Sequence, residues 1–167
     1  ELELIAAYPK NVNALRAGKP DHPKPVIEKL ATAQVAQARR PADLVIQAED
    51  VALPMSEDYW GRIVNELVHN AFKFSEAGSS VRVKLSGVFN GVVFSVSNQG
   101  RGFSAEQIKR IGAYMQFDRK MQDQQGLGLG LTIVKRLVEL HGGALSIEGE
   151  TGAGATIIAR LPLAKTN

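Results

Sequence analysis

The stretch of residues 56–74 most constrains the fold, because a strong helical pattern leads directly into two strands. Its apolar residues recur every three or four positions, as on one buried helix face: Trp60, Ile63, Val64, Leu67, Val68 and Ala71. Ser56 suits the N-cap of such a helix. Residues 81–85 and 92–96 then alternate between apolar and polar, and Asn90-Gly91 between them is typical of a hairpin turn.

The rest of the chain adds elements in an order that predicts an α/β two-layer sandwich. Further helices are predicted over residues 26–40, 105–111 and 129–140, and further strands over residues 44–46, 144–147 and 155–161. Residues 18–25 are rich in proline and have the composition of a linker. We therefore expect residues 1–24 to end an upstream segment and residues 25–167 to form the domain.

Composition narrows the classes of function. The 167 residues suit one domain with one core, and the formal net charge is only +3. No basic stripe interleaved with aromatic residues indicates a nucleic-acid partner, and no apolar run reaches the roughly 20 residues that cross a bilayer. Cysteine is absent, which excludes disulfides and thiolate chemistry and agrees with a cytoplasmic protein.

The helix at residues 56–74 carries a candidate catalytic set. Glu66, Asn70 and Lys73 are spaced i, i+4 and i+7, so they share an arc of roughly 60° at the edge of the apolar face. A carboxylate, an amide oxygen and an ammonium suit a Mg-nucleotide, since Mg²⁺ binds hard oxygens and phosphate attracts a cation. Alone, this spacing also fits an ordinary solvated helix face.

Two glycine-rich segments are candidate ligand loops. Residues 98–102, Asn-Gln-Gly-Arg-Gly, directly follow a predicted strand, which also fits a plain turn. Residues 126–130, Gly-Leu-Gly-Leu-Gly, lead into a predicted helix, and such a backbone binds anions well. The second segment matches neither a Walker A loop nor a dinucleotide-binding fingerprint, and it also fits a flexible hinge.

Taken in order, these segments resemble the ATP-binding catalytic domain of sensor histidine kinases, in the GHKL superfamily of gyrase, chaperone, kinase and MutL ATPases. Residues 65–75, Asn-Glu-Leu-Val-His-Asn-Ala-Phe-Lys-Phe-Ser, are similar to the family's N box. Residues 98–102 and 126–130 are similar to its two glycine boxes, residues 114–117 to its F box and residues 152–156 to its closing glycine turn. The resemblance implies the Bergerat fold, a mixed, mostly antiparallel sheet covered on one face by about three helices.

The resemblance also implies roles for single residues, with ATP and Mg²⁺ as cofactors. Glu66, Asn70 and Lys73 would be catalytic, with Asn70 and Glu66 at the metal and Lys73 at phosphate. Phe74 would pack over the adenine, and a lid of about residues 111–125 would cover the phosphates. The remaining nucleotide contacts would be Asn98, Gly100, Gly102, Phe117, Gly126, Leu127, Gly128, Leu129, Gly130 and Thr156.

The chain departs from the family's pattern in two ways. The first glycine box normally begins with an aspartate that receives the adenine amine, and here Asn98 stands in its place. In addition, the chain's histidines, His22, His69 and His141, lack the setting of a phospho-acceptor. The acceptor histidine is therefore expected on a separate dimerisation domain of a longer parent protein.

The resemblance favours γ-phosphoryl transfer to that histidine in two-component signalling, with a response regulator downstream. Three other functions stay open. An ATPase of the gyrase or MutL kind would use Glu66 as the base that activates water. A non-catalytic nucleotide-sensing module is consistent with Asn98, and a serine kinase of the anti-sigma type is the third alternative.

Overall fold

The computed structural model describes residues 22–109 and 128–163, whose five strands form one mixed sheet. The strands are β1 (Leu44–Ala48), β2 (Val81–Val88), β3 (Gly91–Asn98), β4 (Ala144–Glu150) and β5 (Gly154–Pro162). Their order across the sheet is β1-β2-β3-β5-β4. Strands β1 and β2 are parallel, and the other neighbouring pairs are antiparallel. The expected mixed, mostly antiparallel sheet is confirmed.

Three helices cover one face of this sheet: α1 (Pro23–Ala38), α2 (Glu57–Lys73) and α3 (Gly128–Leu140). The core lies between them and the strand residues that point to that face, which are mainly Val81, Val83, Leu85, Val92, Phe94, Val96, Ile157, Ala159 and Leu161. Residues 105–109 are also helical, as predicted for the start of residues 105–111. Across the described ranges, no helix is long and apolar enough to cross a membrane.

Helix α2 lies where its sequence pattern predicts. The Ser56 side chain accepts a hydrogen bond from the N–H of Tyr59 at 3.4 Å, as an N-cap residue does. Trp60 packs edge-on against Phe94 of β3 with ring centroids 4.8 Å apart, and its Nε1 donates to the carbonyl oxygen of Pro23 at 3.0 Å. These contacts fix the rotation of α2 about its own axis on the sheet. The side of the helix that carries Glu66, Asn70 and Lys73 therefore has a fixed orientation relative to the sheet.

Helix α1 is displaced from its predicted range of residues 26–40. It begins at Pro23, so the prediction that residues 23–25 belong to a linker was wrong. Proline is favoured in the first helical turn, because its missing N–H would be unpaired there anyway. The helix ends before Arg39, which adopts a left-handed conformation with φ of 57°. Residues 1–21 lie outside the described residues, so the proposed division at residue 24 stays a prediction.

The β2–β3 hairpin is confirmed, with its turn shifted by one residue. Val88 pairs with Gly91, so Phe89 and Asn90 form the two-residue loop. Asn90 takes the positive φ of 59°, a conformation that asparagine tolerates better than most residues. The hairpin holds β2 and β3 in register, and this register places Asn98, the last residue of β3, opposite Val81, the first residue of β2.

Candidate active site

Helix α2 places its three candidate residues in different environments. Asn70 is buried, with 7% of its surface exposed, whereas Glu66 is half-buried and Lys73 is exposed. The Nζ atom of Lys73 lies 5.4 Å from the ring centroid of Phe74, the residue that caps the helix. An ordinary solvated face would expose an asparagine, so the burial of Asn70 favours a functional site.

Glu66 meets the first turn of α3. Its carboxylate lies so close to Gly130 that a Cβ atom at that position would collide with Oε2. The first turn of a helix presents unpaired N–H groups and partial positive charge, which attract anions. The tertiary structure therefore joins the predicted catalytic helix to the end of the second glycine-rich segment.

The end of α2 is joined to the first glycine-rich segment. Ser75 forms an isolated antiparallel bridge with Gly100. A Cβ atom on Gly100 would lie 2.6 Å from the carbonyl oxygen of Phe74 and 3.3 Å from Nδ2 of Asn98, so a side chain would force the segments apart. Asn98 continues the alternation of the buried Val96 and thus belongs to the helix-covered face. Phe74, Asn98 and Gly100 form one wall on that face.

The same segment packs against the turn between β4 and β5. Gly102 has a φ of +62°, and a Cβ atom there would collide with the carbonyl oxygen of Glu150. The N–H of Gly152 donates to the carbonyl oxygen of Arg101 at 2.8 Å. The first glycine segment and the closing glycine turn, which are separate motifs in the sequence, therefore form one backbone cluster beside Asn98.

Thr156 lies on the opposite face of the sheet. It pairs in register with Ser97 on β3 and Glu148 on β4, and with them it lines an open cavity of about 330 Å³ on the uncovered face. On the helix-covered face the neighbouring position is Ala155, which is buried and pairs with Asn98. Asn98 also lines the edge of this cavity, but Thr156 lies on the face of the sheet opposite Glu66 and Asn70 of α2.

Three predicted nucleotide contacts lie outside the described residues: Phe117, Gly126 and Leu127. The expected lid over residues 111–125 lies there as well. Gly128 and Leu129 belong to α3, which thus includes one residue before its predicted start at Leu129. The roles that the resemblance implies for these residues stay predictions.

Arg40 and Asp43 stand beside the loop after α2 and were not among the residues predicted from the sequence. Nε of Arg40 donates to Oδ2 of Asp43 at 2.6 Å, and the two side chains are 10% and 9% exposed. The Arg40 guanidinium and the N–H of Gly78 hold the pKa of the Asp43 carboxyl below its ordinary value of 3.8, against the opposing effect of burial. An arginine and an aspartate three residues apart were the available signal, but such pairs are common on exposed surfaces.

The residues present fit a magnesium ion. Asn70 and Glu66 supply an amide oxygen and a carboxylate one turn apart on α2, and the contact of Glu66 with Gly130 directs this pair toward the start of α3. Mg²⁺ is usually held by one or two protein oxygens together with waters and substrate phosphates. The donor set suits a cation that arrives with a nucleotide.

A protein-family model matches residues 55–165, and its description is histidine kinase-, DNA gyrase B- and HSP90-like ATPase. The chain is 37% identical over 124 residues to the histidine protein kinase DivJ of Caulobacter vibrioides. The matched region covers 74% of this chain and 20% of DivJ. The chain is 36% identical over 103 residues to the circadian input-output histidine kinase CikA of Synechococcus elongatus, covering 60% of this chain and 14% of CikA. The chain thus spans a fifth or less of the length of these two relatives.

Solved structures share the fold. A mycobacterial sensor histidine kinase, MprB, superposes with a TM-score of 0.71 at 25% identity, covering 86% of this chain and 97% of that one. Full-length ShkA, solved in complex with AMPPNP, superposes with a TM-score of 0.68 at 25% identity, covering 86% of this chain and 30% of ShkA. The chain therefore belongs to the family of histidine kinase-, DNA gyrase B- and HSP90-like ATPases, in which it is an ATP-binding catalytic domain of the sensor histidine kinase type.

Proposed function

We propose that this chain binds Mg-ATP between α2, the start of α3 and the glycine cluster after β3, and transfers the γ-phosphoryl group to a histidine. One observation carries the proposal. The Glu66 carboxylate contacts Gly130 in the first turn of α3, and the buried Asn70 follows one turn further along α2. Two oxygen donors for a cation thus stand beside a helix terminus suited to phosphate.

The chain's own residues act in this proposal by alignment and charge. Asn70 and Glu66 hold Mg²⁺, which supplies positive charge at the phosphates, and Lys73 attracts the same phosphates. Phe74 packs over the adenine, and the N–H groups at the start of α3 contact phosphate oxygens. An imidazole nitrogen then attacks the γ-phosphorus, the bond to the β–γ bridging oxygen breaks, and ADP leaves. Positioning and charge neutralisation supply most of the catalysis in such a transfer.

The acceptor histidine is proposed to lie on a dimerisation domain of a longer parent protein, with a response regulator receiving the phosphoryl group afterwards. The names of the relatives support this, since DivJ and CikA are histidine kinases much longer than this chain. ShkA supports nucleotide binding, because it was solved with an ATP analogue. We propose that the reaction takes place in the cytoplasm, where ATP is available.

A second candidate function is ATP hydrolysis, and the position of Glu66 favours it. The half-buried carboxylate stands next to the helix terminus at which phosphates are proposed to bind. A carboxylate placed there could orient a water molecule toward the γ-phosphorus as well as serve the cation. The fate of the phosphoryl group separates the two functions.

Incubation with γ-labelled ATP tests the proposal. His22, His69 and His141 lack an acceptor setting, so we expect no acid-labile label on this chain alone. Adding the dimerisation domain should produce acid-labile label on that domain, and Asn70→Ala should abolish it. Strong labelling of the isolated chain contradicts the assignment. Release of free phosphate without a labelled acceptor, lost in Glu66→Ala, supports the ATPase instead.

A further inference from the structure

The Arg40 side chain gathers the loop that follows α2. One terminal nitrogen donates to the carbonyl oxygens of Phe72 at 3.2 Å and Ser75 at 3.0 Å. The other terminal nitrogen donates to the carbonyl oxygens of Glu76 and, at 3.1 Å, Ser79. A single largely buried arginine side chain thus satisfies backbone acceptors from the last turn of α2 to Ser79, and it holds the loop against the end of α1.

Asp43 holds the guanidinium in place. Its Oδ2 accepts from Nε of Arg40 at 2.6 Å and from the N–H of Gly78 at 2.9 Å, so the same carboxylate also contacts the loop directly. The Arg40 guanidinium lies over the ring of Phe72, 5.1 Å from its centroid. Charge, hydrogen bonds and ring stacking together leave the guanidinium one orientation.

The loop that Arg40 holds is a wall of the proposed nucleotide site. Phe74 and Ser75 lie within it, and Ser75 forms the bridge to Gly100. At its far end, the N–H of Gln99 donates to the carbonyl oxygen of Ser80 at 3.2 Å. Both ends of the loop are therefore hydrogen-bonded to the first glycine segment. If Arg40 no longer held the middle of the loop, the loop could distort between these two points, and the position of Phe74 relative to Gly100 would change.

We infer that Arg40 is a positioning residue for nucleotide binding, which sets the distance between Phe74 and the segment at Gly100 without touching the nucleotide. The inference rests on the proposed function, because it assigns this wall to the adenine. Arginine is required for geometric reasons. Its planar group carries five N–H donors in a fixed fork, whereas the lysine ammonium is a compact charge with three donors and cannot span the same set of carbonyl oxygens.

Titration calorimetry with ADP and Mg²⁺ on Arg40→Ala and Arg40→Lys tests the inference, at a temperature where each variant is folded by circular dichroism. We expect both variants to bind ADP about tenfold more weakly or worse, as the loss of a fixed wall predicts. Ile27→Ala is the matched control, because Ile27 is buried near the start of α1, at the opposite end of that helix from Arg40. It should lose thermal stability and keep the ADP affinity of the unchanged chain within twofold.

Chemical rescue separates positioning from general destabilisation. Methylguanidinium at millimolar concentration should restore part of the ADP affinity of Arg40→Ala and leave Ile27→Ala unaffected, whereas methylammonium should restore none. If Arg40→Ala, once folded, binds ADP as tightly as the unchanged chain, Arg40 has no positioning role. If the unchanged chain itself binds no ADP, the proposed function fails and the inference fails with it.

Discussion

At the scale of single residues, burial separates side chains that look alike in the sequence. Asn65 and Asn70 lie on the same helix, but Asn65 accepts a hydrogen bond from Gln34 of α1 at 2.8 Å, whereas Asn70 is buried on the site side. Glu66 reaches Gly130 between them. The same residue type on one helix therefore takes a structural task at one position and a proposed ligand task one turn away.

Replacing Asn70 by alanine should weaken Mg-ATP binding. The amide oxygen is a hard, neutral ligand, and its loss should cost on the order of 1–3 kcal/mol, which is about tenfold or more in affinity. Calorimetry with and without Mg²⁺ measures the effect, and Asn65→Ala on the same helix is the control that should keep its affinity. Unchanged affinity and unchanged Mg²⁺ dependence in Asn70→Ala would remove this residue from the site.

Asn98 should control the choice of base. An aspartate there would accept a charge-assisted hydrogen bond from the adenine amine, about twice as strong as the neutral bond that asparagine offers. Asparagine can also turn its NH₂ group toward a guanine carbonyl, which removes the penalty on the wrong base. We therefore expect Asn98→Asp to tighten ADP by about 1 kcal/mol and to leave GDP unchanged or weaker.

Dissociation constants for ADP and GDP on both versions check this expectation. A mutation of Thr156 to valine serves as the control, since Thr156 pairs with Ser97 and not with Asn98, lies on the uncovered face, and should leave both constants unchanged. An ADP-to-GDP ratio that is the same in Asn98→Asp and the unchanged chain would mean that residue 98 does not read the base.

At the scale of elements, the proposed site forms where a helical crossover between parallel strands meets a hairpin between antiparallel strands. Helix α2 is the crossover between the parallel strands β1 and β2, so its C-terminal end lies near the start of β2. The β2–β3 hairpin returns the chain antiparallel, which places Asn98 opposite Val81. The end of α2 and the end of β3 therefore arrive together, and the short 3₁₀ helix Pro41–Asp43 supplies the ion pair that holds the loop between them.

The Arg40–Asp43 pair should make stability depend on acid pH. The folded-state pKa of Asp43 is lowered, so its contribution is fully present above the unfolded value near 3.8 and is lost as pH falls through the folded-state pKa. The difference in unfolding free energy between the unchanged chain and Asp43→Asn should be constant above about pH 5 and shrink below 3.8. Urea titrations from pH 2.5 to 7 measure it, and a difference that does not shrink at low pH contradicts the pairing.

At the scale of the whole molecule, the proposed ligand joins segments that are distant in the sequence. Residues of α2, the segment after β3 and the start of α3 contribute to the proposed site, and these segments are held together mainly by the shared core. A ligand that contacts all three binds the folded chain and not the unfolded one. Nucleotide binding is therefore linked to global stability.

Mg-ADP should raise the melting temperature of the chain. At a ligand concentration 100 times the dissociation constant, linkage adds about 2.7 kcal/mol, which for a domain of this size corresponds to a shift of about 5–10 °C. Thermal unfolding followed by circular dichroism over a series of ADP concentrations gives the shift. Asn70→Ala should show a smaller shift at the same concentrations, and a melting temperature that does not change with ADP would argue against binding.

Local sequence patterns were sufficient for most of the elements, whereas the roles of the site residues stay predictions. The apolar period of α2, the alternation of β2 and β3 and the glycines that end or begin elements all reflect backbone geometry within a few residues. Helix α1 was misplaced by three residues at its start, because Pro23 and Pro25 fit a linker as well as a first helical turn. The five strands were predictable on these grounds, and the family was predictable from the resemblance of the ordered motifs to those of sensor histidine kinases.

The sequence by itself determined which residues form helices, strands and glycine turns, because those choices depend on neighbours along the chain. Only the tertiary structure decided that Thr156 faces away from the site, since a shift of one position along a strand moves a side chain to the other face of the sheet. It alone brought Glu66 to Gly130 and placed Arg40 across the loop after α2. Those contacts join residues far apart in the chain, and packing around the common core, not local spacing, sets their distances.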